Sequence, residues 1–276
     1  MTTPLLMGIV NATPDSFYDG NPQNNLQTLL AKCKDYLEGG ADIFDIGGES
    51  TRPGGTPVPA EEEKSRVLPL IRAVRQAWPQ IPVSLDTVKI PVAEEGLKAG
   101  VSIINDVSGT PDTEMFKLVQ RFNAQIVVMH TRGTPQTMQT LTDYKDLLGE
   151  IKEFLAQKIA QAQSCGLTKE QIIIDPGFGF AKTRGQNYEL LKHLDVFKTL
   201  GVRMLIGLSR KTFLSQKREG APKRKAQTLA ANLVALQHGA DILRVHDVKE
   251  TRKIMNFYQE LRSEEHTSEL QSLAYL

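Results

Sequence analysis

The chain has 276 residues, and its 33 basic and 32 acidic side chains give a formal net charge of +1 at pH 7, with 40% hydrophobic and 24% charged residues. This balance is typical of a soluble globular protein and excludes the strongly basic surface of nucleic-acid or anionic-membrane binders, so we expect neither partner. Cys33 and Cys165 lack the paired spacing of a zinc or redox site. With no signal-peptide pattern either, we expect a reduced, cytoplasmic protein.

Eight short apolar runs alternate along the chain with longer amphipathic segments. This alternation is typical of buried parallel strands that are covered by helices. The predicted strands are residues 5–10, 42–46, 82–85, 101–104, 125–129, 172–174, 203–207 and 241–245. The predicted helices are residues 26–38, 60–77, 91–99, 113–122, 143–164, 188–199, 223–237 and 248–261.

Eight strand and helix pairs predict a single-domain α/β fold, a (β/α)8 TIM barrel over residues 1–262. An open doubly wound sheet stays an alternative, because periodicity does not tell whether the last strand pairs with the first. Residues 263–276 are a polar acidic string without an apolar period, and we interpret them as a non-native tail that does not complete a helix. The long loops Ala12 to Asn25 and Gly47 to Pro59 follow the first two strands, where we expect mobile lids.

Polar side chains follow the predicted strands at the end where barrel enzymes build their sites. Asp86, Asn105 and Asp175 follow the third, fourth and sixth strands. Such short planar groups suit a flat heterocycle, since a carboxylate accepts two parallel hydrogen bonds from a ring N–H and a neighbouring amine. The alternative is that these carboxylates only form salt bridges to Lys211 or Arg244.

A second set supplies cations and hydrogen-bond donors from the first, second and eighth strands. It comprises Asn11, Arg52, Arg244 and His246. This set suits a phosphate or diphosphate, with Mg²⁺ held through the Asn11 carbonyl oxygen, although Arg52 alone could equally be a solvated loop residue. Lys211 could pair with a polar substrate or act as a Schiff-base nucleophile, whereas we expect His130 to be a wall residue.

Seven sequence blocks, spread in order over about residues 5–261, resemble the dihydropteroate synthase family. Residues 11–17 read NATPDSF and residues 45–54 read DIGGESTRPG, which are similar to that family's two signatures. The remaining blocks are SLDT (84–87), IINDV (103–107), DPGFGF (175–180), SRK (209–211) and RVHDV (244–248).

The resemblance implies a transferase of folate synthesis that joins 6-hydroxymethyl-7,8-dihydropterin diphosphate to 4-aminobenzoate and releases diphosphate, with Mg²⁺ as cofactor and a homodimer as assembly. It implies pterin contacts at Asp86, Asn105, Met129, Asp175, Gly207 and Lys211. It implies diphosphate contacts at Asn11, Arg52, Arg244 and His246, with Asn11 also a metal ligand. It implies aminobenzoate contacts at Thr51, Pro53, Phe180, Lys211 and Thr212.

Catalysis would rest on Lys211, Asp86, Asp175 and Arg52. We expect the cationic set with Mg²⁺ to stabilise the leaving diphosphate and the carboxylates to favour the electron-poor pterin. Thr212 stands where the family has Ser, so the response to sulfonamides, which mimic 4-aminobenzoate, stays open and includes insensitivity.

Three other functions stay open. The nearest is a pterin-binding module that presents methyltetrahydrofolate to a corrinoid protein, although that module has no diphosphate to hold. The others are an aldolase that uses Lys211 as a Schiff base and a barrel that binds without turnover.

Overall fold

In the computed structural model, the chain is described at residues 3–13, 22–50, 57–110, 113–215 and 220–273. The strands are β1 (Leu5–Asn11), β2 (Ile43–Gly47), β3 (Val83–Asp86), β4 (Ile103–Asp106), β5 (Gln125–Met129), β6 (Ile172–Asp175), β7 (Arg203–Ile206) and β8 (Ile242–Val245). The helices are α1 (Pro22–Glu38), α2 (Ala60–Ala77), α3 (Ile90–Lys98), α4 (Glu114–Arg121), α5 (Leu147–Ser164), α6 (Arg184–Lys192), α7 (Lys225–Gln237) and α8 (Val248–Leu273).

The eight strands form a closed parallel barrel in chain order. The decisive pairing joins the first strand to the last, with Leu5 opposite Ile242 and Gly8 opposite Val245. This pairing confirms the TIM barrel and removes the open-sheet alternative. Among the described residues, no helix has the length and apolar character needed to cross a membrane.

The barrel has an apolar layer inside it and a larger apolar shell between strands and helices. The inner layer comprises Met7, Ile43, Ile103, Val127, Ile173, Leu205 and Ile242. Because side chains alternate between the two faces of a strand, the residues two positions further along also point inward, one layer closer to the carboxyl ends. That next layer carries the polar residues of the site.

The structure corrects several helix boundaries, among them that of α5, which begins at Leu147 and not at residue 143. The sequence predicts one helix at residues 188–199, but α6 begins at Arg184 and a separate 3₁₀ helix spans Leu194–Leu200. The early start follows from a capping box, in which the Thr183 hydroxyl accepts from the Gln186 amide at 3.3 Å and the Gln186 side chain accepts from the Thr183 amide at 2.8 Å. Likewise, α1 begins at Pro22, inside the first predicted lid.

Another correction concerns the C-terminal segment. The prediction that residues after 262 do not continue the helix is wrong as far as Leu273, where α8 ends. No glycine or proline lies between Val248 and Leu273, so the backbone meets no residue that would break the helix. That the tail is non-native stays a prediction.

The predicted lids fall largely outside the described residues, which omit 14–21 and 51–56. The bases of both loops are described. The Ala12 amide donates to the Gly47 carbonyl at 2.8 Å, which joins the start of one loop to the start of the other. Glu49 accepts from the Val58 amide at 2.9 Å, so the two ends of the second loop are tied together.

Two glycines of this barrel differ in the space available for a side chain. A Cβ at Gly8 would lie 2.5 Å from Cδ2 of Tyr36, whereas a Cβ at Gly185 in α6 would have no heavy atom within 4 Å. We expect Gly8→Ala to lower the free energy of unfolding by about 1–3 kcal/mol through overpacking. We expect Gly185→Ala to raise it by roughly 0.5–1 kcal/mol, because alanine restricts the unfolded chain. Urea denaturation checks both, and equal effects would contradict the packing described here.

Candidate active site

The inward-facing layer above the apolar one is where the barrel becomes polar. Two residues beyond Ile43, Ile103, Ile173 and Ile242 lie Asp45, Asn105, Asp175 and Arg244. The same step leads from Val127 to Met129 and from Leu205 to Gly207. Because side chains alternate between the two faces of each strand, five predicted site residues lie at the same level of the barrel mouth. They are Asn105, Met129, Asp175, Gly207 and Arg244.

Arg244 lies between two buried carboxylates. Its Nε donates to Oδ2 of Asp45 at 2.6 Å, and its Nη2 donates to Oδ2 of Asp86 at 2.6 Å. The sequence groups Arg244 with the diphosphate residues. The structure shows its guanidinium in contact with the carboxylate cluster, and its contact with diphosphate stays a prediction. The salt bridge to Asp86 is also the alternative that the sequence leaves open.

Asp45 is fully buried and its carboxylate oxygens are occupied within the barrel. The Ser84 hydroxyl donates to its Oδ1 at 2.6 Å, and the Asn105 amide lies 3.4 Å from its Oδ2. Neither Asp45 nor Ser84 is among the predicted site residues. Strand alternation could have indicated Asp45, because it follows the inward-facing Ile43 by two positions and therefore also points into the barrel.

Asp86 differs from Asp45 because one of its buried oxygens, Oδ1, has no hydrogen-bond partner within the described part of the chain. Burial raises the pKa of Asp86 to about 7, although Arg244 acts in the opposite direction. Burial lowers the pKa of Arg244, but Asp45 and Asp86 more than reverse this, so the net shift is upward. A buried acceptor without a partner is suited to an N–H group from a ligand.

Asp175 and Lys211 interact electrostatically at the ends of β6 and β7. Burial raises the pKa of Asp175, while Lys211 and the Gly177 amide, which donates to Oδ1 at 2.7 Å, lower it. Burial lowers the pKa of Lys211 to about 8, and Asp175 opposes that shift. The Lys211 ammonium donates to the Phe178 carbonyl and lies 4.6 Å from the centre of the Phe180 ring. Lys211 is therefore placed between the predicted pterin and aminobenzoate subsites.

Gly207 and Met129 line the same level of the barrel. A Cβ at Gly207 would have no heavy atom within 4 Å, so the space above this residue is open. Met129 is buried and lies beside Asp175 in the strand register. This open space next to polar side chains is what a flat ring would need.

Three of the predicted diphosphate residues, Asn11, Arg244 and His246, lie at the ends of β1 and β8, which are neighbours in the barrel. Asn11 ends β1, and His246 follows β8. The Ser209 hydroxyl accepts from the His246 amide at 3.1 Å and lies 2.9 Å from its Nδ1. In the tautomer in which this hydroxyl donates to Nδ1, the ring carries its own proton on Nε2.

Three further predictions concern Arg52, Thr51 and Pro53, which lie outside the described residues. Phe180 is described and contacts Lys211 as above. Thr212 is exposed and begins a 3₁₀ helix, Thr212–Leu214, directly after Lys211.

Lys182 is a buried residue near the site that the sequence did not indicate. Its ammonium lies 3.0 Å from Nδ1 of His130 and donates to the carbonyls of Gly177 at 2.9 Å and Phe180 at 3.1 Å. Burial lowers the pKa of Lys182 to about 7 and the pKa of His130 to about 2. His130 is therefore a neutral residue of the wall, as expected.

Comparison with known proteins agrees with this geometry. The family described as pterin binding enzyme matches residues 7–246. The dihydropteroate synthase of Synechocystis is 46% identical over 90% of this chain and 87% of its own. The chain belongs to the dihydropteroate synthase family. The corrinoid-linked module is not favoured, since the curated relatives compared are dihydropteroate synthases.

Solved structures of dihydropteroate synthases share the fold. The Clostridium difficile enzyme, solved in the presence of pteroic acid, is 41% identical with a TM-score of 0.88 over 94% of this chain and 97% of its own. The Yersinia pestis enzyme, solved in a sulfonamide drug complex, is 37% identical with a TM-score of 0.89 over 95% of each chain.

The Arg244 cluster predicts a pH-dependent loss of stability. Arg244→Met leaves two carboxylates buried together without their cation. We therefore expect the free energy of unfolding at pH 8 to fall by about 3–5 kcal/mol. Burial raises the pKa of Asp86, so the loss shrinks as the pH falls and this carboxylate becomes protonated. Denaturation at pH 5 and pH 8 measures this difference.

The matched control is Arg121→Met. Arg121 is 60% exposed and pairs with Glu94 at 2.8 Å. An exposed pair of this kind contributes about 1 kcal/mol or less. Equal losses for the two variants, or a loss for Arg244→Met that does not change with pH, would contradict the cluster's role.

Proposed function

We propose that this protein is a dihydropteroate synthase, which condenses 6-hydroxymethyl-7,8-dihydropterin diphosphate with 4-aminobenzoate to form 7,8-dihydropteroate and diphosphate. The observation that carries the proposal is the polar layer at the barrel mouth, where Asp86 has a buried oxygen without a described partner and Asp175 interacts electrostatically with Lys211. Membership of the family supplies the chemistry that such a layer would serve.

The pterin would enter the open space above Gly207. Its ring N–H and exocyclic amine suit carboxylate acceptors, and charge-assisted hydrogen bonds of this kind are worth roughly 1.5–3 kcal/mol each. Asp175 and Asp86 supply those acceptors, the Asn105 amide both donates and accepts, and the Lys211 ammonium donates to a ring acceptor. Together these groups would hold the ring in one orientation.

The diphosphate would lie toward β1 and β8. The Nε2 proton of His246 is a donor for a phosphate oxygen, and Arg52 would add a cation. Asn11 offers a carbonyl oxygen, which is a hard ligand that Mg²⁺ accepts. The described residues hold no group of three or more His, Cys, Asp or Glu side chains that could bind a metal. Mg²⁺ commonly binds few protein ligands together with substrate phosphates, so the donor set fits it.

Bound Mg²⁺ would neutralise charge on the leaving diphosphate. The C–O bond breaks, diphosphate takes the electron pair, and positive charge develops on the pterin methylene. Asp86 and Asp175 stabilise that charge electrostatically. The neutral aromatic amine then forms the C–N bond and releases its proton, so this step requires no positioned general base.

4-Aminobenzoate would bind beside Phe180 and Lys211, with Thr212 and the predicted residues Thr51 and Pro53 completing the subsite. We propose that sulfonamides enter the same subsite, as the Yersinia pestis drug complex suggests by analogy. Thr212 would then influence their affinity through its additional methyl group.

We further propose that the protein is a cytoplasmic homodimer. The resemblance supports this assembly, and two exposed apolar residues of α8, Phe257 and Leu261, support contact through the late helices.

Product formation tests the proposed function. We expect purified protein to release diphosphate and form dihydropteroate only when both substrates and Mg²⁺ are present, and a sulfonamide to compete with 4-aminobenzoate. Asp175→Asn should lower kcat/KM by roughly 100-fold or more, because it removes charge stabilisation from the reacting centre.

The control is Asp195→Asn, at an exposed carboxylate near His238 and distant from the barrel mouth. It should leave kcat/KM unchanged. Pterin binding without condensation would overturn the synthase and favour a binding module. Borohydride trapping of a substrate on Lys211 would instead favour a Schiff-base enzyme.

The pH dependence of kcat/KM should be bell-shaped with a maximum between about 7 and 8. Asp86, whose pKa is raised to about 7, loses its acceptor function as it becomes protonated below that pH. Lys211, whose pKa is lowered to about 8, loses its ammonium above that pH. Lys211→Arg should remove the alkaline limb while lowering the rate, because guanidinium stays protonated. An unchanged alkaline limb in this variant would exclude Lys211 as its source.

A further inference from the structure

A strained turn precedes Lys211. The Lys211 amide donates to the Leu208 carbonyl at 3.2 Å, which closes a four-residue turn with Arg210 at its third position. Arg210 has a φ of 59°, in the left-handed region that favours glycine. Glycine or asparagine is the usual residue at such a turn position. An arginine here must therefore contribute something through its side chain that a glycine would not.

The guanidinium of Arg210 forms an ion pair with Asp247. Its Nε donates to Oδ2 of Asp247 at 3.1 Å and its Nη2 to Oδ1 of Asp247 at 2.7 Å. Asp247 is buried, with 8% of it exposed. A two-point contact of this kind fixes orientation as well as distance, which a single lysine ammonium cannot do.

The backbone of Arg210 is held as firmly as its side chain. Its amide donates to the Thr228 hydroxyl at 3.0 Å, and its carbonyl accepts from Nε of Arg224 at 2.8 Å. Thr228 and Arg224 are themselves nearly buried, with 1% and 7% exposed. The strained conformation is thus held from several sides, as expected of strain that serves a site.

The position of Arg210 in the chain links this arrangement to the active site. Ser209, on one side, contacts the His246 ring, and Lys211, on the other, contacts Phe178 and lies near the Phe180 ring. Asp247 directly follows His246. Two adjacent links, Ser209 to His246 and Arg210 to Asp247, therefore join the ends of β7 and β8.

We propose that Arg210 is a positioning residue, which acts through Asp247 to aim Lys211 and His246 into the barrel mouth. The proposal rests on the proposed function for what those two groups bind. Arg210 itself touches neither substrate. Its left-handed turn points the arginine toward Asp247 and the next residue toward the Phe178 carbonyl, so the ion pair sets the direction of Lys211.

The test compares Arg210→Gly, Arg210→Lys, Asp247→Asn and the double variant Arg210→Gly/Asp247→Asn with the wild-type chain. Arg210→Gly removes the side chain but suits the left-handed turn, so it should still fold cooperatively. We expect its KM for 4-aminobenzoate to rise about tenfold and its kcat to fall about tenfold, which is roughly 100-fold in kcat/KM and of the size expected for a misplaced catalytic group. Arg210→Lys should lie between wild type and glycine.

The double variant tests whether the two residues act together. If Arg210 acts through Asp247, the double variant should be no worse than the more affected single variant. Pteroic acid binding, measured by calorimetry, should weaken about tenfold in Arg210→Gly and gives a readout that does not depend on turnover. Arg121→Ala, at an exposed arginine on α4, is the control and should match wild type.

Each result decides the proposal. A merely structural role would reduce the active fraction, which lowers apparent kcat but leaves both KM values unchanged, and that result would overturn it. Multiplicative losses in the double variant would also overturn it, because the residues would then act separately. Wild-type protein that forms no dihydropteroate would instead refute the proposed function, whereas active wild type with unaltered Arg210→Gly refutes only this inference.

Discussion

The contact on which the site depends is the guanidinium of Arg244 between Asp45 and Asp86. Two carboxylates buried in a barrel mouth repel each other and are poorly solvated, so they require a cation held between them. Arg244 supplies it with two hydrogen bonds of 2.6 Å. Asp45 is then fully occupied by Arg244, Ser84 and Asn105, whereas Asp86 keeps a buried oxygen for a ligand. Within this cluster, Asp45 therefore holds Arg244 in place, whereas Asp86 can also bind a ligand.

Buried charges also require partners of opposite sign on the other side of the mouth. Asp175 interacts electrostatically with Lys211, and the buried ammonium of Lys182 lies beneath the turn that carries Phe180. Carboxylates from β2, β3 and β6 therefore share the mouth with cations from the ends of β7 and β8. Burial shifts the pKa of Asp86 upward and the pKa of Lys211 downward. Their values approach each other near neutrality. Small changes in geometry at such a site alter protonation as well as contact, which is why rigid positioning of Lys211 by its neighbours matters.

Much of the candidate site could be predicted because it follows strand alternation. Asn105, Asp175 and Arg244 each lie two residues beyond a buried isoleucine, so chain order alone brings them to one level of a barrel. Asp45 obeys the same rule, but it was not among the predicted site residues. The contacts of Lys182, Ser209 and Asp247 do not follow from strand alternation. Their roles depend on contacts between loops that are distant in the chain, and a capping box at Thr183 was likewise overlooked.

By itself, the sequence determined the number and order of strands, the family and most residues at the barrel mouth, because alternation and local motifs are properties of neighbouring residues. The tertiary structure decided which charges meet. It closed the barrel through β1 and β8, placed Arg244 in contact with Asp45 and Asp86, and paired Arg210 with Asp247. It also extended α8 to Leu273. Ion pairing across a barrel depends on distances between strands that are far apart in the chain, and no local pattern encodes those distances.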